Sequence, residues 1–493
     1  MHPMRYQDTR WQLAYGANHD ISGSALIELQ RSLQRFMPYV LEAVPAEAAV
    51  RSRHLCIIGC PQDNPLLREL IAGKFMAEPE KKNGFTIAAG ASPWTPECRL
   101  IAITGYDLPG LLHGVHYFNA HVLPAHVGTL RREDSLAALN RIRDFQYAEA
   151  PCIENRGIWS WGYAIYDYRK FINNMARLRL NTLVLWHDTP PLNSEDIIAY
   201  AHKQGLRIIY GFAWGWGQDG VELTRRQDRR KIGQDVVRRY QRDYEHLNLD
   251  GIYFQTLTEH GNTTQGKRST AALACELAND VAKELLKIKP SLRLEFGLHA
   301  SSIAENYPEM RALHPQIVPV WEDAGSIPFA YSIDETPDGD IHSRSKLAGV
   351  TTPEATIAYS RKLAALRGAD QEFALVPKGL SSIDWINEFE HHGPYVMGER
   401  GSDELRRRFE QRSPHWDRVN RSWLSRYHEI ANYYRSLRQH HPGPMTVAGL
   451  LEDGLFEWEI QPAAALFAEM LWNPHLADNE VIARALSPYY KRS

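Results

Sequence analysis

From about residue 150 onward, short apolar runs alternate with stretches whose apolar residues recur every three or four positions. These are the periods of buried strands and of amphipathic helices. Eight runs read as strands: 156–161, 182–186, 207–212, 251–257, 292–298, 317–321, 373–376 and 445–450. Helical stretches separate them. In 167–180, Phe171, Met175 and Leu178 share a face, and Asn181 is placed to end the helix in the left-handed region. Ser194, followed by Glu195 and Asp196, is an N-cap pattern for a helix that stops at Gly205. Thr352-Pro353 opens another helix with Gly368 beyond its end. A helical insertion over about 403–440 precedes the last strand.

Eight strand-then-helix units predict an α/β chain built on a (β/α)8 TIM barrel, whose chemistry gathers at the strand C-termini. An open doubly wound sheet would call for a glycine-rich phosphate turn after its first strand. Here that place holds Trp159-Ser160-Trp161-Gly162-Tyr163, bulky where a backbone would have to approach a ligand closely.

Residues 1–148 read as a small separate α/β domain, leaving 149–493 for the barrel, its helical insertion and a C-terminal extension. Strands are expected at 10–15, 54–58, 85–87 and 100–103, and a helix over 21–44 that Pro38 kinks near its end. Asn64 is placed to cap a short helix, and the turn 104–110 opens another through Leu111, Val115 and Phe118. Titratable groups are scattered in this part, which therefore reads as scaffold.

Composition narrows the function. A formal net charge of -3 offers no basic excess for nucleic acid. No apolar run is long enough to span a bilayer, so no membrane partner is expected. The first residues lack a secretory pattern, and the cysteines Cys56, Cys60, Cys98, Cys152 and Cys275 are scattered and odd in number. A cytoplasmic protein with reduced thiols is the expectation, and a homo-oligomer stays open.

The strand endings carry the candidate chemistry. Glu259 and His260 follow the fourth strand, and Glu322 and Asp323 the sixth. Two carboxyl groups across one pocket are what glycosidic cleavage needs: one protonates the leaving oxygen, and the other meets the oxocarbenium-like centre. Glu259 is the candidate general acid and Glu322 the second carboxylate, because Glu322 shares strand parity with Val318 and Val320; Asp323 remains the alternative. Trp159, Trp161 and Trp214 offer indole faces for the apolar side of a sugar. His187, His260, His299, Asp323, Lys378, Asp384 and Glu452 offer partners for its hydroxyls. A carbohydrate substrate and no cofactor or metal follow. The rivals are a metal-dependent barrel hydrolase using the histidines, which would call for an H-x-H pair on the first strand, and a noncatalytic carbohydrate-binding protein.

Three stretches resemble glycoside hydrolases that pair a small α/β domain with a catalytic barrel, such as β-N-acetylhexosaminidases and α-glucuronidases. Residues 101–114, running through Thr104-Gly105-Tyr106-Asp107-Leu108-Pro109-Gly110, look like the end of their N-terminal domain. Arg156-Gly157 followed by 173–183 looks like the first barrel unit of the hexosaminidases. Asp250-Gly251-Ile252 through Glu259-His260-Gly261 is similar to the fourth-strand segment of α-glucuronidases, whose glutamate is the general acid. The resemblance implies an exo-acting glycosidase in which Arg156 grips hydroxyls of the terminal sugar. An endo-acting N-acetylglucosaminidase shares the same two-domain plan. Where the hexosaminidases end their fourth strand in Asp-Glu, this chain has Thr258-Glu259.

Overall fold

The computed structural model describes residues 10–127, 132–186, 189–215, 222–255, 263–299, 303–322, 353–377, 379–380, 398, 401–451 and 455–488. Six strands come first: β1 (Trp11–Tyr15), β2 (Glu42–Pro45), β3 (His54–Gly59), β4 (Phe85–Ala91), β5 (Arg99–Gly105) and β6 (Phe145–Glu149). They form one sheet in the order β2-β1-β3-β5-β4-β6, parallel except that β4 runs against both its neighbours.

Helix α1 (Asp20–Gln34) is shorter than its apolar period suggests. It stops four residues before Pro38, whose missing N–H and fixed φ cannot continue it. The Gln34 amide then accepts from Leu41 N (2.8 Å) and donates to Tyr39 O (2.7 Å), turning the chain into β2. Helix α2 (Pro65–Ala72) starts at Asn64, whose side chain accepts from Leu66 N and Leu67 N. Asp107 caps α3 (Leu108–Tyr117) through Gly110 N.

The next eight strands close into a parallel barrel in chain order: β7 (Asn155–Trp161), β8 (Thr182–Trp186), β9 (Arg207–Ala213), β10 (Gly251–Gln255), β11 (Arg293–Leu298), β12 (Ile317–Trp321), β13 (Phe373–Leu375) and β14 (Met445–Leu450). Alternation sorts their side chains. Ile158, Leu185, Phe212, Phe254, Phe296 and Leu298 point outward into one core shared with the surrounding helices. Trp159, Trp186, Tyr253, Val320, Val376 and Leu450 point inward and fill the lumen.

Helix α4 (Tyr168–Arg177) buries Phe171, Ile172 and Met175 against the barrel. The left-handed residue that ends it is Arg179 (φ 59°), not Asn181. Asn181 instead accepts from Arg156 N (2.9 Å) and donates to Glu154 O (2.9 Å), tying the feet of the first two barrel strands together. Among the later helices, α5 (Ser402–Ser425) and α6 (Tyr427–His440) form the insertion between β13 and β14, and α7 (Pro462–Trp472) follows β14. No helix among the described residues is long and apolar enough to cross a membrane.

The sheet domain is bolted to the barrel through α7. Trp472 lies in the apolar core of the N-terminal unit, its ring 5.9 Å from that of Phe85. Its indole N–H donates to Glu149 (2.7 Å), which also binds Arg484 (2.7 Å). Arg179 pairs with Glu469 and sits 4.4 Å over the Trp472 ring. Burial among these cations holds His116 and His121 neutral, each pushed down to about 3.

Candidate active site

The upper end of the lumen is built around Glu322, the first residue beyond β12, which is 3% exposed. Its N–H donates to Leu298 O (3.0 Å), extending the ladder and keeping the side chain on the inward side shared by Val318 and Val320. Two hydrogen-bond donors and a histidine ring converge on its carboxyl group. Tyr253 Oη donates to Oε1 at 2.5 Å, and Gln255 Nε2 donates to the same oxygen. His299 Nε2 stands 3.3 Å from Oε2. Tyr253 and Gln255 share the inward parity of β10, and His299 follows β11 on the parity of Gly297. Gly297 is required for this meeting, because a Cβ there would overlap both the Tyr253 hydroxyl and Glu322 Oε1.

Hydrogen bonds to an ionised carboxylate stabilise its charged form. The Tyr253 hydroxyl and the Gln255 amide are thus placed to solvate Oε1 whenever the group is ionised.

Beside the carboxylate stands an aromatic wall. Trp159 lies 5.4 Å from Trp161 edge-on, 6.1 Å from Trp186 and 6.0 Å from Tyr253, measured between ring centroids. Gly211 on the adjacent strand makes room for Trp186, whose Cε3 would lie 2.6 Å from a Cβ there. Trp161 is the more open of the first-strand pair and also touches Tyr163 (5.9 Å). The wall thus sets packed aromatic rings beside the Glu322 carboxyl group, with Trp161 as its more open member.

The structure thus brings together Glu322, His299, Trp159 and Trp161. Two expectations are corrected. Arg156 is fully buried at the opposite, N-terminal end of β7, and its guanidinium donates to the carbonyls of Ile153, Glu154 and Arg179. It cannot reach a ligand at the mouth. Trp214 follows β9 on the outward parity of Tyr210 and Phe212 and stacks on Phe254 at 3.5 Å between centroids. It is core, packed between strands and helices. Glu259, His260, His187, Asp323, Lys378, Asp384 and Glu452 lie outside the described residues.

Tyr253, Gln255 and Gly297 were not anticipated from the sequence. Their signal was the odd register of two strands: a hydroxyl and an amide on the lumen side of 251–255, and a glycine amid bulky residues of 293–298. Among the described residues, no group of three or more His, Cys, Asp or Glu is placed to hold a metal ion.

No protein-family model and no curated protein matches the chain in sequence. Solved structures do resemble it. A GH138 enzyme targeting pectin rhamnogalacturonan II aligns over 96% of this chain at 11% identity and a TM-score of 0.49, and this chain spans 52% of that one. CpGH84B aligns over 93% of this chain and 87% of its own at 9% identity and a TM-score of 0.41. An O-GlcNAc hydrolase mutant from Thermobaculum terrenum aligns over 68% of this chain and 64% of its own, at 11% identity and a TM-score of 0.40.

Proposed function

We propose that the chain is a glycoside hydrolase working at the C-terminal mouth of its barrel, with Glu322 as the anionic carboxylate and Glu259 as the general acid. The observation that carries this reading is the cradle of Tyr253, Gln255 and His299 around a buried Glu322, beside the Trp159–Trp161–Trp186 wall. Glu259 enters from its place just beyond β10, the strand whose Tyr253 and Gln255 grip Glu322. A carboxyl there would protonate the leaving oxygen while Glu322 faces the anomeric carbon. Retention would need a carboxyl separation of about 5 Å, and inversion roughly 6.5 Å or more.

Within the class, N-acetylhexosaminides and uronides are the favoured substrates, supported by the resemblance of 101–114 and 250–261 to hexosaminidases and α-glucuronidases. The sheet domain of residues 1–148 serves as scaffold. Cys56, Cys60, Cys98, Cys152 and Cys275 are all unpaired, which supports a reducing, cytoplasmic setting.

A panel of nitrophenyl N-acetylhexosaminides, uronides and neutral hexosides tests the reading. Turnover of at least one member is expected, with Glu322→Gln losing at least about 10²-fold in kcat. A panel with no turnover refutes the reading, and so does a fully active, folded Glu322→Gln.

A further inference from the structure

Beyond the lumen, the rim of the mouth carries an aromatic pair that the cradle does not use. Trp458 is 43% exposed and, among the described residues, is the one tryptophan that is exposed. Its ring packs against Phe409 of α5, 5.3 Å between centroids and inclined by 30°. A single exposed apolar side chain needs no explanation. The placement of this pair does.

Three segments of the C-terminal face are locked together beneath it. Glu457, next to Trp458 in the loop after β14, accepts the backbone N–H groups of Tyr166 (2.6 Å) and Asp167 (2.7 Å). Arg408, next to Phe409 in α5, donates to Ala164 O (2.7 Å) and lies 4.1 Å over the Tyr166 ring. Residues 162–167 are the continuation of β7, the strand that carries Trp159 and Trp161 to the lumen. The segment that carries Trp159, Trp161 and Tyr163, whose rings touch in that order, is thus the one fastened to the loop and helix that hold Trp458 and Phe409.

We propose that Trp458 and Phe409 form an outer sugar-binding subsite for the leaving-group part of an oligosaccharide whose scissile bond lies at Glu322. The inference rests on the glycosidase reading. With a terminal sugar at Glu322, the rest of its chain would pass outward over the C-terminal face, where the loop after β14 places Trp458. A pyranose ring laid on the Trp458 indole would cover apolar surface that water now covers, and the Arg408 guanidinium supplies N–H donors at the same rim for its hydroxyls.

The test compares wild type, Trp458→Ala and Trp458→Phe on two substrates of the sugar that turns over in the panel. One is its nitrophenyl glycoside and the other a series of oligosaccharides ending in that sugar. The ratio of kcat/KM on oligosaccharide to kcat/KM on nitrophenyl glycoside should fall about tenfold in Trp458→Ala, mainly through KM, and recover in Trp458→Phe. An unchanged ratio in an active Trp458→Ala overturns the subsite and leaves the glycosidase reading standing. So does a wild type that cleaves nitrophenyl glycosides but no oligosaccharide. Loss of self-association in Trp458→Ala with an unchanged ratio would assign the patch to a second copy of the chain and also overturn it. A wild type inactive on every glycoside removes both proposals together.

Discussion

Glu457 offers a sharp physical test, because a carboxyl group is buried where water cannot stabilise its charge. It is 2% exposed. Burial, opposed by the N–H groups of Asp167 and Tyr166 and by Arg408, pushes its pKa from 4.5 up to about 8. The folded chain therefore keeps a proton on Glu457 at neutral pH, whereas the unfolded chain releases it near pH 4.5. Between those two values the folded state binds more protons, so the group's contribution to stability falls as pH rises and levels off above about pH 8. At about 1.4 kcal/mol for each tenfold change in proton concentration, the full window amounts to a ceiling of roughly 5 kcal/mol. Glu457→Gln removes the titration while its amide oxygen can still accept from Tyr166 and Asp167. Urea midpoints of both proteins should lie close together near about pH 5, with the variant ahead by several kcal/mol near about pH 8.5. Every other titrating group is common to both chains, so only the difference between the two curves matters. Curves that stay parallel across this range would refute the argument from burial.

Three further outcomes follow from the lumen and its surroundings. Tyr253→Phe removes one donor from an ionised carboxylate, an interaction worth about 1.5–3 kcal/mol, so kcat/KM on a responsive nitrophenyl glycoside should fall roughly 10- to 150-fold with the melting temperature little changed. Glu259→Gln should cost about 10²-fold or more on an unactivated glycoside and less on one with a good leaving group; equal losses on both would remove Glu259 as the acid. Trp214→Ala should cost about 3–5 kcal/mol of stability as a core cavity, read by chemical denaturation. A stable Trp214→Ala with a raised KM would return Trp214 to the sugar-binding surface.

The barrel was legible because each strand carries its own apolar run and ends in a polar residue, and the order of such runs admits few topologies. Parity made the finer distinctions. It separates Glu322 from its outward neighbour Trp321, and applied equally to 207–213 it would have put Trp214 outside with Tyr210 and Phe212. Arg156 shows a different failure. It opens a strand, so it lies at the barrel's foot, and a resemblance in residue type outweighed that position. Helix α1 looked longer because Phe36 and Val40 continue its apolar period, although Pro38 rules out a regular helix through that stretch. Tyr253 and Gln255 passed as strand filling, since a hydroxyl and an amide announce themselves only when a partner from another strand is known. That partner, Glu322, is 69 residues from Tyr253 and comes to it through barrel closure alone.

The joint at Trp472 has a consequence for how the molecule is made. Glu149 waits for an indole 323 residues later and for a guanidinium 335 residues later. At roughly 5–20 residues per second, a ribosome needs on the order of 15–65 s to supply the first of these after β6 has emerged. Throughout that interval the nascent sheet lacks the ring that packs beside Phe85 and the indole N–H and Arg484 guanidinium that bind Glu149. The part of the protein that is synthesised first is thus the part that is finished last.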